Sequence, residues 1–255
     1  MKLILLIIGV AGFCSAVLPV NADDNFSLWP RRPEALEQAR RLMQEQKGGE
    51  AVLLLQPYVA DEGIAGREAR QICGRVNVPR YLSRQHPGAF VYTVRKGDNM
   101  ARIAAAQKCP QDIIMLLNGI VDSSTLRIGQ KLVMVPMRLR MEIRPLQREV
   151  SVWDGNQLVA DYPLLGSEDI PRNKQKSETI KVQAREGYLD GYAVPAKSSQ
   201  YPAAEKVLTL SNGMVLGGEH NGTGTVVFRM DQKDLNEAAM MLDCGNEVKI
   251  IYSER

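Results

Sequence analysis

The stretch Tyr92–Pro136, YTVRKGDNMARIAAAQKCPQDIIMLLNGIVDSSTLRIGQKLVMVP, holds the clearest pattern in the chain. Tyr92-Thr93-Val94 is a β-rich start, and Lys96-Gly97-Asp98 is a turn signal. Asp98 or Asn99 can cap a helix that follows, because a short side-chain oxygen satisfies a free N–H of the first turn. Met100, Ile103 and Ala104 fall at helical spacing, and Cys109-Pro110 breaks that helix. Asp112 precedes a second apolar run, Ile113–Leu117, which Asn118-Gly119 ends with residues that tolerate a left-handed backbone. Ile128-Gly129-Gln130 turns into a last strand, Lys131–Val135. The expected unit is strand, helix, helix, strand.

Three blocks of this stretch resemble the lysin motif (LysM) family: Tyr-x-Val-x-x-Gly-Asp from Tyr92, Leu-Asn-Gly from Leu117, and Ile-Gly-Gln-x-Leu from Ile128. They stand in order and at family-like spacing. The resemblance implies a shallow groove that holds N-acetylglucosamine polymers between two loops. One loop maps to Gly97, Asp98, Asn99 and Met100, the other to Asn118, Gly119, Ile120 and Val121. Asn99 stands where the family has Thr or Ser, and Met100 where it has Leu or Trp. Read without the resemblance, Gly97 and Gly119 are turn glycines and Met100 is a core residue.

The start of the chain is expected to set the compartment. Residues 1–22 read as a secretory signal: Lys2 is the positive start, Leu3–Val10 the apolar run, and Val20-Asn21-Ala22 the cleavage positions, with a cut after Ala16 as the alternative. The apolar run is too short for a membrane span, which needs about 20 residues. Beyond the signal stand Cys73, Cys109 and Cys244. An odd number leaves at least one unpaired within the chain. A Cys73–Cys109 disulfide and three buried thiols are both open. No Cys-x-x-Cys occurs, and His86 and His220 lie far apart, so no metal or cofactor is expected. A net charge of +3 is too small to argue for nucleic acid.

On either side of the central unit the pattern changes. Residues 23–88 read as a helical segment, with helices over Pro33–Gln46, Ala51–Val59 and Ala69–Val76, weakly resembling tetratricopeptide hairpins. Such short helices bury little alone, so they are expected to pack on a neighbouring domain or on an envelope protein partner. Residues 89–137 are the LysM unit. Residues 138–255 are rich in strands, expected over Leu139–Ile143, Glu149–Trp153, Gln157–Tyr162, Glu178–Val182, Lys206–Leu210 and Glu247–Tyr252. Trp153-Asp154-Gly155-Asn156-Gln157 is a hairpin signal, and Asp231 caps a helix over Gln232–Leu242. The fold class is multidomain α+β, ending in a mostly antiparallel β domain.

Within that last part, Val150–Val159, Tyr162–Gly166, Arg229-Met230-Asp231 and Gly245–Ile250 resemble the opening hairpin, second strand and closing elements of L,D-transpeptidase catalytic domains. The family signature, Ser-His-Gly-Cys-x-Arg, falls on Gly224–Arg229, which puts Val227 at the nucleophile position. Valine has no thiolate to attack a peptide carbonyl. The upstream His-Gly pair falls near Gly217-Gly218, so the base is missing too, and of the signature only Arg229 remains. His220 with Cys244 is the one substitute pair to weigh, and a Cys–His pair needs hydrogen-bond reach. The resemblance thus implies an exported cell-envelope protein that binds peptidoglycan or a chitin-like glycan, with a degenerate, non-catalytic transpeptidase-like domain. An active L,D-transpeptidase with a non-standard cysteine, or a helical envelope adaptor, are the alternatives.

Overall fold

The computed structural model describes residues 32–167, 177–195, 198, 200–218 and 226–252. The expected signal segment and His220 lie outside them.

The helical segment consists of α1 (Arg32–Gln44), α2 (Gly48–Leu55), a 3-10 turn over Gln56–Tyr58, and α3 (Gly63–Tyr81). Two sequence expectations change here. Gly48-Gly49 open α2 instead of lying outside it, and Gly63 and Gly66 fall in the first turn of a third helix much longer than Ala69–Val76. A Cβ on Gly66 would meet the Asp61 carbonyl oxygen at 2.0 Å, so that glycine serves close packing of the helix start. The segment does not stand alone. Ala35, Leu36, Ala39, Val52, Leu55, Ala69, Ile72 and Cys73 share one buried cluster with Trp153 and Leu158 of the C-terminal part.

The central unit is strand β1 (Phe90–Thr93), α4 (Met100–Gln107), α5 (Gln111–Asn118) and β2 (Lys131–Met134), as its sequence predicts. β1 and β2 pair antiparallel, Tyr92 facing Leu132. Met100, Ile103, Ile113, Ile114, Leu117, Leu132 and Met134 are buried between helices and strands. That core continues without a break through Val135, Met137 and Leu139 into the C-terminal part.

The C-terminal part contains β3 (Leu139–Arg144), β4 (Glu149–Asp154), β5 (Gln157–Ser167), β6 (Ser177–Leu189), β7 (Tyr192–Val194), β8 (Glu205–Leu210), β9 (Val215–Gly217), β10 (Val226–Met230), α6 (Gln232–Met241) and β11 (Glu247–Ile251). The sheet runs β11-β3-β4-β5-β10-β9-β8-β6-β7, and β11 also pairs with β6. That extra pairing closes eight strands into a barrel, with β7 attached to β6. Closure removes free sheet edges, which otherwise invite pairing with other chains. Most pairings are antiparallel; β11 with β3 and β10 with β9 are parallel. The barrel is therefore mostly antiparallel, as expected. Strands β7, β9 and β10 carry too little pattern to stand out in the sequence. Each has five residues or fewer, and β9 and β10 pair with a register shift.

Of the two readings left open for the cysteines, the Cys73–Cys109 disulfide does not form, and only two of the three thiols are buried. Cys73 and Cys109 are buried free thiols and Cys244 is an exposed one. Cys73 lies in the helical cluster and Cys109 in the core shared by the central unit and the barrel, so the two pack as small apolar residues in separate places. Burial pushes their thiols up to about 12 and about 11. Among the described residues no helix is long and apolar enough to cross a membrane.

Candidate functional site

The two loops singled out in the sequence are held by their own side chains. Gly97 has φ +88°, a conformation that favours glycine. Asp98 Oδ2 accepts hydrogen bonds from the Arg95 N–H at 2.8 Å and the Tyr92 hydroxyl at 2.7 Å. These two donors hold its carboxyl below the usual carboxylate range. Asn99 is the helix cap, its Oδ1 accepting from the Arg102 N–H at 2.9 Å. The two candidates thus divide the work: Asp98 ties the turn back to β1, and Asn99 starts α4. Met100 is 2% exposed, so its side chain faces the core and not the loop surface.

In the second loop, Asn118 Nδ2 donates to the carbonyls of Ile114 (2.7 Å) and Val133 (2.8 Å), and its Oδ1 accepts from the Val133 N–H at 2.8 Å. The amide is committed to joining α5 to β2. Gly119 is left-handed, φ +63°, and ends α5. Ile120 packs partly on the core, while Val121 is 64% exposed. What these loops offer outward is backbone at Gly97 and Gly119, the Asn99 side chain and the apolar Val121.

Gly119, Ile120 and Val121 also form one wall of a cavity of about 430 Å³. Its opposite wall belongs to the barrel: Tyr201, Lys206, Asn236 and Met240. Lys206 is 5% exposed. Its Nζ donates to the carbonyls of Tyr201 and, at 2.8 Å, of Ala204, and it sits over the Tyr201 ring, 4.1 Å from the centroid. Burial pushes its amine down to about 8. Asn236 Oδ1 accepts from the Lys206 N–H at 2.8 Å and from Gln232 Nε2 at 2.9 Å.

A second cavity, about 620 Å³, lies between α4 and the barrel and is lined by Ala101, Lys108, Arg185, Asp243 and Cys244 among others. Arg185 bridges the two units. It pairs with Asp112 of α5 at 3.1 Å and with Asp243 at 3.3 Å, and donates to the carbonyls of Ala239 and Leu242. None of these barrel residues carries a local sequence signal. They come from β6, the 3-10 turn before β8, β8, α6 and the turn after it, and only folding brings them together.

Next to β8 in the sheet, β9 and β10 bring together two of the four residues expected at the transpeptidase-like position. Gly217 pairs with Arg229, which also faces Gly166 of β5. A Cβ on Gly218 would meet Gln232 Oε1 at 2.2 Å, so that glycine allows a close approach. Val227 lies in β10, while His220 is outside the described residues. Cys244 does not join this group. It sits in the turn before β11, whose neighbours are β3 and β6, whereas β10 lies between β5 and β9. In the closed ring these two strands are opposite each other.

Sequence reasoning also missed a polar layer beneath the helical segment. Arg70 Nη2 pairs with Glu149 at 2.6 Å with both side chains 1% exposed. Arg70 Nη1 donates to the carbonyls of Val59 and Asp61 at 2.9 and 2.8 Å. Asn77 Nδ2 donates to the Leu158 carbonyl at 2.6 Å. Beside them, both Asp161 oxygens are buried without a hydrogen-bond partner among the described residues. Burial, and then the charge of Glu149, push that carboxyl well above its usual range.

Comparison with known proteins agrees with the central unit. Residues 92–134 match the LysM domain family. No curated protein matches the sequence. Among solved structures, L,D-transpeptidase 3 from Mycobacterium tuberculosis, in complex with a faropenem-derived adduct, is similar at 10% identity and a TM-score of 0.33, covering 49% of this chain and 65% of that one. An L,D-transpeptidase from Mycobacterium smegmatis is similar at 9% identity and TM-score 0.31, covering 49% and 64%. Bd1075 of Bdellovibrio bacteriovorus is similar at 16% identity and TM-score 0.32, covering 46% and 48%. This chain thus spans less than two thirds of the length of those structures. Residues 92–134 are a LysM domain, set between a helical segment and a closed β barrel.

Proposed function

We propose that this is an exported cell-envelope protein whose LysM domain binds N-acetylglucosamine-containing peptidoglycan. The observation that carries the reading is the intact LysM unit with both groove loops held in place. Asp98 and Asn99 fix the first loop, and Asn118 with the left-handed Gly119 fixes the second. A shallow site of that kind recognises sugar through backbone groups and small apolar contacts, not through deep burial. The groove loops in this reading are Gly97, Asp98, Asn99 and Met100 with Asn118, Gly119, Ile120 and Val121. Met100 and Asn118 act from beneath: one fills the core and the other ties helix to strand.

The barrel, in this reading, is a transpeptidase-like domain without a working nucleophile. Val227 occupies the cysteine position on β10, and Cys244 stands on the opposite side of the barrel from it. The experiment is co-sedimentation with purified peptidoglycan sacculi, with chitin oligomers as competitor. Pelleting that the oligomers reverse, and that a Gly97→Val/Gly119→Val double variant loses, is the expected result. Unchanged pelleting of that variant overturns the glycan reading. Turnover of a tetrapeptide donor that depends on Cys244 would overturn the non-catalytic reading.

A further inference from the structure

A cavity of about 540 Å³ lies where the start of α3 meets the barrel face of β3, β4 and β11. Strand β3 alternates there. Met141 and Ile143 enter the core, while Arg140, Glu142 and Arg144 line the cavity. Glu142 spends both oxygens on the flanking arginines: Oε1 accepts from Arg140 Nη2 at 3.2 Å and Oε2 from Arg144 Nη2 at 2.5 Å. Lys249 stands beside Glu142 in the β3–β11 register and finds that carboxylate taken. Its ammonium has no partner among the described residues. Among those residues the cavity holds one other carboxylate, Glu62. Three cations against two carboxylates leave one positive charge over.

The donors around that charge are fixed in advance. Arg140 lies over the Trp153 ring, 5.3 Å from its centroid, and donates to the Gly155 carbonyl. Arg144 donates to Ser151 Oγ at 3.3 Å and to Glu149 Oε1 at 3.4 Å. Each guanidinium has five N–H donors, so both keep spare ones. The Asn156 amide and the Ser177 hydroxyl, also on the cavity wall, have no partner among the described residues. Donors thus come from β3, the turn after β4, the start of β6 and β11. A neutral sugar would meet the amide and the hydroxyl but leave the Lys249 charge unmatched. A carboxylate would match the charge but offers its oxygens in one plane. A phosphodiester carries one negative charge on a tetrahedral group, whose oxygens reach donors on several walls.

We propose that this cavity binds a phosphodiester group, with Lys249 matching its charge and Arg140, Asn156 and Ser177 donating to its oxygens. The volume is in the range of small-ligand sites, so it also holds the small polar groups that such a diester joins. The charge sits in a concave site walled in part by Trp153 and Ile251, where its field is stronger than on an open surface. The site is separate from the LysM loops, and nothing in it depends on the glycan reading.

The test is isothermal titration of the whole chain, at low salt, with glycerophosphoglycerol, a singly charged phosphodiester. Glucuronate serves as the carboxylate control and methyl glucoside as the neutral one. Saturable binding of the diester that weakens as salt is raised, and that exceeds both controls, is the expected result. Lys249→Met removes one charged donor and should weaken it about tenfold, while Lys249→Arg should keep most of it. Lys249 has no partner to lose, so the Met variant strips no contact from the fold. Ser177→Ala, at the exposed start of β6, should give a smaller loss and is an independent check. No saturable binding overturns the proposal. Equal affinity for glucuronate or for methyl glucoside overturns it too, since the cavity then reads charge alone or hydroxyls alone. Binding unchanged in Lys249→Met places the diester elsewhere and also overturns it. Flotation with phosphatidylglycerol vesicles separates the two sources of the group. Flotation that Lys249→Met loses supports a lipid headgroup, and titration without flotation supports a soluble phosphodiester.

Discussion

The barrel meets its two neighbours in different ways. Against the helical segment it buries charge. α3 lies on β5 so closely that a Cβ on Gly74 would meet the Asp161 N at 2.7 Å, and the polar groups caught there, Arg70, Glu149 and Asn77, are paired at short range. Against the LysM domain the barrel shares an apolar core through Val135, Met137 and Leu139; two cavities lie beside that seam, as two lie beside the helical one. The helical contact costs a buried charge pair, which is stabilising only while every partner is in place. The LysM contact is mainly apolar and is crossed by one arginine, Arg185, that stays partly in reach of solvent. Cavities border both interfaces; the difference is that one buries a charge pair and the other is held by apolar packing.

Removing one charge from each seam tests that contrast. Arg70→Ala leaves Glu149 buried with only the longer Arg144 contact at 3.4 Å, and strips a donor from two carbonyls. It should cost about 3–5 kcal/mol in urea melts and expose the helical segment to proteolysis first. Arg185→Ala should cost less, about 1–3 kcal/mol, because its partners can rehydrate, Asp112 through one cavity and Asp243 through the other. Equal losses for the two variants would erase the distinction between the seams.

Two smaller effects sharpen it. Asn99→Ala removes a helix cap inside the LysM domain, away from both seams, and should cost about 1 kcal/mol while leaving the proteolysis pattern of the helical segment unchanged. Asp161→Asn tests the helical seam by pH. The native carboxyl holds its proton to higher pH than the unfolded one, which titrates near about 4. Above that pH the unfolded state has shed a proton that the native state keeps, so wild-type stability falls as pH rises. Asparagine does not titrate there. The variant should therefore gain on wild type from about pH 4 upward until the native carboxyl ionises too, read as the difference in melting temperature across pH. A pH-independent difference would mean that Asp161 is not held protonated.

The LysM unit was legible because its signals are local. Gly97, Asn99, Pro110, Gly119 and Gly129 each fix a turn or a cap within a few residues of where they stand, and β1 and β2 are brought together by the two short helices between them. The helix at Gln232–Met241 was legible for the same reason, Asp231 capping it as the sequence predicts. The barrel hairpin at Gly155 was also in reach, with Asp154 facing Gln157. The sequence marks only the later part of helix α3, since Gly63 and Gly66 look like breakers until the close approach of Asp61 gives Gly66 a packing reason.

Tertiary structure decided the rest. Whether Cys73 and Cys109 meet depends on two packing layers far apart in the fold, and they do not. Closure of the barrel depends on β11 inserting between β3 and β6, partners more than fifty residues away in the chain. The cleft of Tyr201, Lys206 and Asn236 against the Gly119–Val121 loop exists only because that closure sets α6 beside α5. Turns and caps are written in neighbouring residues because their hydrogen bonds are short-range. Buried pairs such as Arg70 with Glu149 bind residues from separate elements, and no local pattern can mark which distant partner a charged side chain will find.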